Sequence, residues 1–540
     1  MENFTVKNLF PILLYAETHY KFKGIYSRFF KREPEIVADA PTRIEPGDAI
    51  PVLVLIKDAH RFPIQLVTVT IELKHNNALL LIRNYSINIS IDSDRFWHRI
   101  FYIEPLNGVF GIVELDVSFK IKITGKNKKY NNDNYRISSH QPLSVYLAKD
   151  PLPRFENWFF GDFHYHSNYT EDQVEFGAPL PATVEMARAM GLSFFAVTDH
   201  SYDLDDSEDS WVINDPNLKK WKSLWDEVDE LNAKFSDFVI LPGEEVSAGN
   251  SRNRNVHLLI INDRKFYPGK GDSAECWFRT KPDLSIANIL DEIETETLAL
   301  AGHPEMGFPF LQWLLIRRGS WDFSDYLHPN LHGLQLWNGE LDHSFYSGSK
   351  NWVRMLLEGK RKTIVAGNDA HGNFNRFRQI GFPFFTMRET QGQLFGKMRT
   401  GVKVNGKISV SKIIGLVKNG RVQITTGPVV ELMVFNEIGE AAGLGGEISG
   451  REFQIVCKAK SSSEFGILFL LNICLGEMDK KLERELLTKK DFDSPYHAEI
   501  KAELRDLSAK NYIRVEVTAR MDDGSFSRCF TNPIWLKISK

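Results

Sequence analysis

At 540 residues the chain is too long for one ordinary hydrophobic core, so roughly two to four domains are expected. Hydrophobic residues at 43%, charged residues at 25% and a net charge of −4 describe an ordinary globular chain with no global pull toward nucleic acid or an anionic membrane. An anionic ligand would have to be met by a local patch or by metal. The four cysteines, Cys276, Cys457, Cys474 and Cys529, lie far apart without a C-x-x-C pair, which argues against a disulfide framework or zinc ribbon and for a reducing compartment.

The opening MENFTVKNLFPILLYAETHYKF has an acidic second residue, a short apolar patch broken by Pro11 and no cleavage-like end, so it does not read as a signal peptide. No apolar run approaches the ~18 residues of a membrane span, and a soluble, cytoplasmic protein is expected. The stretches IPVLVLIKDA, IQLVTVTIELK, ALLLIRNYSINISI and GIVELDVSFKIKI are β-branched, partly alternating and separated by turn-formers. They predict an N-terminal β-sandwich-like domain over residues 1–153, closed by the proline-bearing linker KDPLPR.

From Asn157 to about Met387 the pattern changes. Amphipathic helical stretches (PATVEMARAMG, NLKKWKSLWDEVDELNAKF, SIANILDEIE, SKNWVRMLLEGK) alternate with short apolar strands (SFFAV, FVIL, VHLLII, LALA, GLQLW, TIVAG). Such alternation predicts βα units around a parallel sheet or barrel, assigned to residues 154–425. After about Gln423 the text is strand-like again (VVELMVF, EFQIVCKAK, FGILFLLNICLG, NYIRVEVTAR), predicting a second β-sandwich-like domain over 426–540. The glycine-rich GLGGEISG at 443–450 stands between strands with no helix after it and reads as a turn rather than a nucleotide site.

Nine of the 15 histidines fall between 164 and 371, more than twice the density of the rest of the chain. Their placement is more telling than their number. SFFAVTDH ends a strand with Asp199 and His200, FVILPGEEVS with Glu244 and Glu245, LALAGHP with His303, and TIVAGNDAH with Asp369 and His371. His164 and His166, two apart on one strand, share a face, and His257 lies in the strand NVHLLII. Carboxyl ends of strands in a βα barrel meet at one mouth. Imidazoles and carboxylates gathered there are the ligands of Zn²⁺, Mn²⁺ or Fe²⁺, and without a cation such carboxylates would be costly to bury. Each motif alone is weak, a lone H-x-H being more often surface or core than ligand; their joint placement is what points to metal. His328, His332 and His343 lack it and are read as loop or supporting residues.

In their order, GDFHYHS, GLSFFAVTDHS, LPGEEVS, VHLLII, AGHP, LHGLQLWNG and GNDAHG resemble the successive motifs of the polymerase-and-histidinol-phosphatase (PHP) superfamily, over roughly residues 155–390. The strand-rich flanks resemble a multidomain branch related to carbaryl-hydrolase-type members. The resemblance implies a distorted seven-stranded βα barrel holding two or three divalent metal ions (Zn, Mn or Fe). By motif position His164, His166, Glu245 and Asp369 would hold the first ion. Glu245 would bridge to a second, completed by His257 and His303, and His200, His371 and Asp172 would hold the third, with Glu171 the alternative to Asp172. Glu245 is preferred to Glu244 because the family glutamate stands two residues after the glycine, here Gly243. TEDQ stands where many members carry Ser-Asp-Gly, and Asn368 where serine is common.

A water activated between bridged cations makes hydrolysis of a small phosphomonoester or phosphodiester the leading expectation. Hydrolysis of a carboxylic ester, carbamate or amide is the alternative, and a non-catalytic metal-stabilised scaffold is the alternative of another class. Asp199 and His200 are candidates for proton transfer beside Glu245. Arg252, Arg254, Arg376 and Arg378 are candidates to meet a phosphate, with solvated loop charges as the plainer reading. The acidic DLDDSEDS would disfavour long polyanions, and YKFKGIYSRFFKR near the start is a weak candidate for nucleic acid or lipid.

Overall fold

Apolar residues at every second position make one buried strand face, and a bulge shifts the phase. IQLVTVTIELKH shows both effects. Ile64 and Leu66 are buried, the pairing slips between Leu66 and Thr68, and burial resumes at Val69, Ile71 and Leu73. The computed structural model describes residues 33–134, 140–171, 176–207, 210–273, 280–308, 310–375, 379–382, 385–388 and 391–539. The chain forms two compact units. One comprises Met1–Pro151, His166–Leu192 and Asp369–Gly396, and the other Leu152–Tyr165, Ser193–Asn368 and Lys397–Lys540.

The first unit contains β1 (Glu35–Asp39), β2 (Ile50–Lys57), β3 (Ile64–His75), β4 (Ala78–Ile91), β5 (Phe96–Ile103), β6 (Gly111–Ile123) and β7 (Leu143–Leu147). Antiparallel β1, β2 and β5 form one sheet, and β7, β6, β3 and β4, in that order, form most of another. Val52, Val54 and Ile56 of β2 share a core with Leu66 and Ile71 of β3 and Val117 and Phe119 of β6. Helix α1 (Leu180–Ala189) buries Val184 and Ala187 and ends at Gly191. Gly191 adopts φ +84 as Leu192 N donates back to Ala187 O, a closure in which a side chain would be strained.

The second unit contains β8 (Trp158–His166, up to Tyr165), β9 (Phe194–His200), β10 (Val239–Gly249), β11 (Asn255–Ile261), β12 (Leu298–Ala301), β13 (Gly333–Trp337) and β14 (Thr363–Ala366). It continues with β15 (Arg399–Lys403), β16 (Val422–Thr425), β17 (Val429–Asn436), β18 (Phe453–Lys460), β19 (Ile467–Glu477), β20 (His497–Leu504), β21 (Lys510–Arg520) and β22 (Phe526–Thr531). Strands β17, β18 and β20 form a separate antiparallel sheet. Among the described residues no helix is long and apolar enough to cross a membrane.

The expected seven-stranded βα barrel flanked by separate β-sandwich domains is corrected. The strand order runs β14-β13-β12-β11-β10-β9-β8 and then continues through β15, β16, β22 and β21 to β19, so the middle and C-terminal strands share one sheet. That sheet is mixed. β8/β9, β9/β10, β12/β13 and β13/β14 are parallel, but β10/β11, β11/β12 and β8/β15 are antiparallel. The reason is visible at Asn250–Arg254, where the link between β10 and β11 is too short for the crossover that parallel neighbours need. The molecule is dominated by strand, not by alternating helix and strand.

His332 ties β12 to the loop before β13, its Nδ1 accepting from Ala299 N at 3.1 Å. Burial, with Lys418 and Lys362 nearby, pushes its imidazole down to about 4 from 6.5. The unfolded chain therefore takes up this proton first as pH falls. The neutral ring contributes stability that is fully present above about 6.5 and lost as pH drops through about 4. His332→Asn should flatten the acid-side fall in stability by up to about 3 kcal/mol, measured by denaturant unfolding between those two pH values.

Candidate metal centre

Strand register decides which acidic group faces the imidazoles. In the parallel β9/β10 pair His200 lies opposite Glu245 and Asp199 opposite Glu244. Successive strand residues point to opposite faces, so His200 and Glu245 share one face and Asp199 and Glu244 the other. On the first face Glu245 Oε1 lies 2.5 Å from His257 Nδ1, 3.1 Å from His303 Nε2 and 3.4 Å from His164 Nε2. Its Oε2 lies 3.0 Å from His200 Nδ1. All five side chains are buried. They come from β8, β9, β10, β11 and the turn after β12. His303 in that turn is held at φ +22, a left-handed conformation that a non-glycine residue adopts only under constraint.

The imidazoles are themselves held. Gln335 Oε1 lies 2.8 Å from His164 Nδ1 and accepts from His303 N at 3.2 Å, while its Nε2 donates to Gly367 O at 3.1 Å. Asp162 Oδ1 accepts from His164 N and from Asn368 N, each at 3.0 Å, and its Oδ2 from Asn368 Nδ2 at 2.6 Å. Asn368 thus braces the strand that carries His164. Behind His257, Asp272 Oδ2 is 3.2 Å from Nε2 and accepts from Arg318, and Asp272 Oδ1 accepts from Ser247 Oγ. A carboxylate behind an imidazole is the arrangement that orients metal-ligating histidines.

Burial opposes charge on Glu245, but His257 and His164, with hydrogen bonds from His164 and His200, outweigh it and hold the carboxyl well below its usual range. Burial and Arg318 push His257 down, yet Glu245 and Asp272 outweigh them and raise it to about 10. Without a cation the balance thus requires a second positive charge, on His257, beside the buried Arg318, whose Nη1 lies 2.6 Å from Nε2. A divalent cation on the opposite side supplies that positive charge through neutral ring nitrogens instead. The donor set therefore fits Zn²⁺, Mn²⁺ or Fe²⁺.

The first unit carries a second set. His166 Nε2 lies 3.1 Å from Asp369 Oδ1, His166 Nδ1 lies 3.2 Å from Thr170 Oγ1, and the His166 and His371 rings stack at 4.1 Å. Asp369 sits at φ +55 and His371 Nδ1 lies 3.2 Å from its carbonyl oxygen. Gly372 follows at φ +64, where a Cβ would come within 2.6 Å of Ala178 N, so the close turn requires glycine. Glu171 forms a bidentate pair with Arg95, at 2.8 Å to Nε and 2.6 Å to Nη2, with Lys57 at 3.7 Å. Asp172 lies outside the described residues, as do Arg376, Arg378, Cys276 and the segment YKFKGIYSRFFKR.

The remaining candidates stand elsewhere. Glu244 Oε1 accepts from Tyr267 N at 3.0 Å, and burial, reinforced by Asp263 and Asp205, pushes its carboxyl well up. Asp199 is buried on that same opposite face. His328 Nε2 pairs with Asp291 at 3.3 Å, and His343 opens the helix His343–Leu357. Sequence reasoning missed Asp162, Gln335, Asp272 and Arg318. Asp162 had a signal, since it stands two residues before His164 in the same strand. Gln335 had one as the polar residue inside the apolar GLQLW. Asp272 and Arg318 lie in loops whose pairing no local pattern encodes. Gln335→Leu should free the His164 ring and weaken metal retention about 10- to 100-fold. Gln335→Glu, which keeps the acceptor, should restore most of it in metal analysis after graded dialysis against chelator.

No family model matches the chain, and no curated protein matches it. Among solved structures it is similar to a putative β-galactosidase from Bacteroides fragilis, with 9% identity over 94% of this chain and 74% of that one, at a TM-score of 0.19. A Bacteroides uniformis β-glucuronidase shows 8% identity over 93% and 61%, at 0.18. A glycosyl hydrolase family 2 member from Bacteroides cellulosilyticus shows 9% over 94% and 63%, at 0.16. Scores this low carry no weight for fold or activity.

The phosphoesterase expectation is corrected. The described arginines expected to meet a phosphate are engaged otherwise. Arg252 pairs with Asp322 at 2.6 Å, and Arg254 donates to Trp313 O at 2.7 Å with its guanidinium over the Trp313 ring. Arg318, buried behind His257, is paired with Asp272.

Proposed function

We propose that the chain is a metal-dependent hydrolase of a carbonyl-centred bond, in a carboxylic ester, carbamate or amide of a small molecule. The observation that carries this reading is Glu245, buried, ionised and contacted by four imidazoles. His164, His200, Glu245, His257 and His303 would hold a cation, and His166, Asp369 and His371 offer ligands of the same chemistry. When bound, a divalent cation supplies Lewis acidity, bringing the pKa of water toward neutrality and polarising a carbonyl.

The chain's own residues supply position and proton handling. Gln335 Oε1 accepts a hydrogen bond from His164 Nδ1, which leaves Nε2 turned to Glu245. Asp272 does the same for His257 Nε2, leaving Nδ1 toward the carboxylate. His200, stacked on Tyr202 at 4.6 Å, is held with Nδ1 3.0 Å from Glu245 Oε2, which fixes that ring nitrogen toward the cation site. Arg252, Arg254 and Arg318 are engaged with Asp322, Trp313 O and Asp272, and their engagement favours a neutral carbonyl over a dianionic phosphoryl group.

The test is a substrate panel on chelator-stripped protein resupplied with Zn²⁺, Mn²⁺ or Fe²⁺. It comprises p-nitrophenyl acetate, a p-nitrophenyl carbamate, an anilide, bis-p-nitrophenyl phosphate and p-nitrophenyl β-glucuronide. Metal-restored turnover of at least one carbonyl substrate is the expected result. Metal-independent turnover, or turnover confined to the phosphodiester or the glycoside, would overturn the reading.

A further inference from the structure

The short helix Phe310–Leu315, sequence FLQWLL, is inside out. A surface helix normally buries its apolar stripe and shows its polar side to water. Here Phe310 is 55%, Trp313 38%, Leu314 54% and Leu315 53% exposed, whereas the polar Gln312 is 3% exposed. Phe310 and Trp313 stack at 5.5 Å, so two of the four exposed apolar side chains are in contact, and Leu314 and Leu315 follow them directly in the same turn. Contiguous exposed apolar surface marks an interaction site more often than isolated side chains do.

The turn that ends the helix fixes this polarity. Gln312 O accepts from both Ile316 N, at 3.1 Å, and Arg318 N, at 3.2 Å, while Arg317 takes a left-handed conformation at φ +54. Asn255 Nδ2 donates to Ile316 O at 2.7 Å and Asn255 N to Arg317 O at 2.9 Å, anchoring the same turn. Arg318 is thereby directed inward to Asp272 and Arg317 outward to solvent. The apolar plate is held by hydrogen bonds to β11, so its exposure is built into the fold.

The charges around the plate identify its partner. Arg317 and Arg252 are exposed, and Arg254 lies over the Trp313 ring at 4.2 Å. Among the described residues there, Arg252 is paired with Asp322 and Asp325 stands beside it through Ser251, so three arginines against two aspartates leave the rim net cationic although the whole chain is net negative. Trp, Phe and Leu outward, ringed by arginine, is the composition of a surface that inserts shallowly at a lipid headgroup boundary. We propose that this plate docks on an anionic phospholipid surface, with Trp313, Leu314 and Leu315 entering the interface and the exposed Arg317 meeting the headgroups. The docked turn also carries Arg318, which places the lipid surface three residues from the group that braces His257. The proposal does not depend on the hydrolase reading, because its readout is binding.

The test is co-flotation of the full chain with vesicles of phosphatidylcholine alone or with about one-third phosphatidylserine, the electrostatic part being expected to fall at high salt. Wild type should float with the phosphatidylserine vesicles, and Leu314→Glu/Leu315→Glu should weaken binding at least tenfold with an unchanged melting temperature. Arg317→Glu, which leaves the apolar plate intact, should weaken binding to phosphatidylserine vesicles and not to phosphatidylcholine. Equal binding to both vesicles, or binding unchanged in the double variant, would overturn the proposal. So would concentration-dependent self-association abolished by that variant, since the plate would then be covered by a second copy.

Discussion

Glu245→Gln should strip the protein of metal and abolish metal-dependent turnover, whereas Glu244→Gln should leave both within a few-fold of wild type. Glu245 is the acceptor that His164, His200, His257 and His303 share, and each of the four lies within 3.4 Å of it. Removing one partner of a buried ionic set typically costs about 3–5 kcal/mol, on the order of 100- to 5,000-fold in affinity. Glu244 faces away from the imidazoles and burial pushes its carboxyl well up, so it has less charge to lose to the amide than Glu245 has. Elemental analysis after dialysis and kcat/KM on the best panel substrate check both variants. A larger loss in Glu244→Gln would place the metal on the other strand face.

Chelation should lower the melting temperature of the wild-type protein, and the drop should be missing from Glu245→Gln. A cation that binds the folded chain and not the unfolded one stabilises by RT ln(1 + [L]/Kd), about 4 kcal/mol at a thousandfold excess over Kd. For a folding unit of a few hundred residues each kcal/mol moves the midpoint by roughly 2–4 °C, so a fall on the order of 10 °C is expected. Re-addition of Zn²⁺ or Mn²⁺ should restore it in wild type. A midpoint insensitive to chelator in wild type would remove the metal from this account.

Much of the candidate centre was legible before any fold was known. Strand endings in TDH, GEE, GHP and NDAH put His200, Glu245, His303, Asp369 and His371 where apolar strands meet polar loops, and local alternation carries that information. The arrangement of the strands was less legible. The short apolar runs SFFAV, VHLLII and LALA say that a strand is buried, not whether its neighbour runs parallel. The loop of Asn250–Arg254 makes β10 and β11 an antiparallel hairpin, and β15 and β16 extend the sheet into the C-terminal strands, both against the barrel that alternation suggested.

The supporting residues depended on distance in the chain. Gln335 reaches His164 across 171 residues and Arg318 reaches His257 across 61, and periodicity has no access to such pairs. The helix FLQWLL shows the same limit from the other side. Its composition reads as core, and only the turn pinned by Asn255 turns its apolar side outward.

The sequence by itself determined where strands form, which residues carry imidazole and carboxylate, and that the cysteines and net charge direct nothing. Those properties follow from side-chain chemistry and from the two-residue period of an extended chain. The tertiary structure decided which strand face each group occupies, that Glu245 rather than Glu244 meets the imidazoles, and that Gln335 and Asp272 orient them. Register, bulges and strand direction set those outcomes, because a shift of one residue reverses every side chain on a strand while the local pattern of the sequence stays the same.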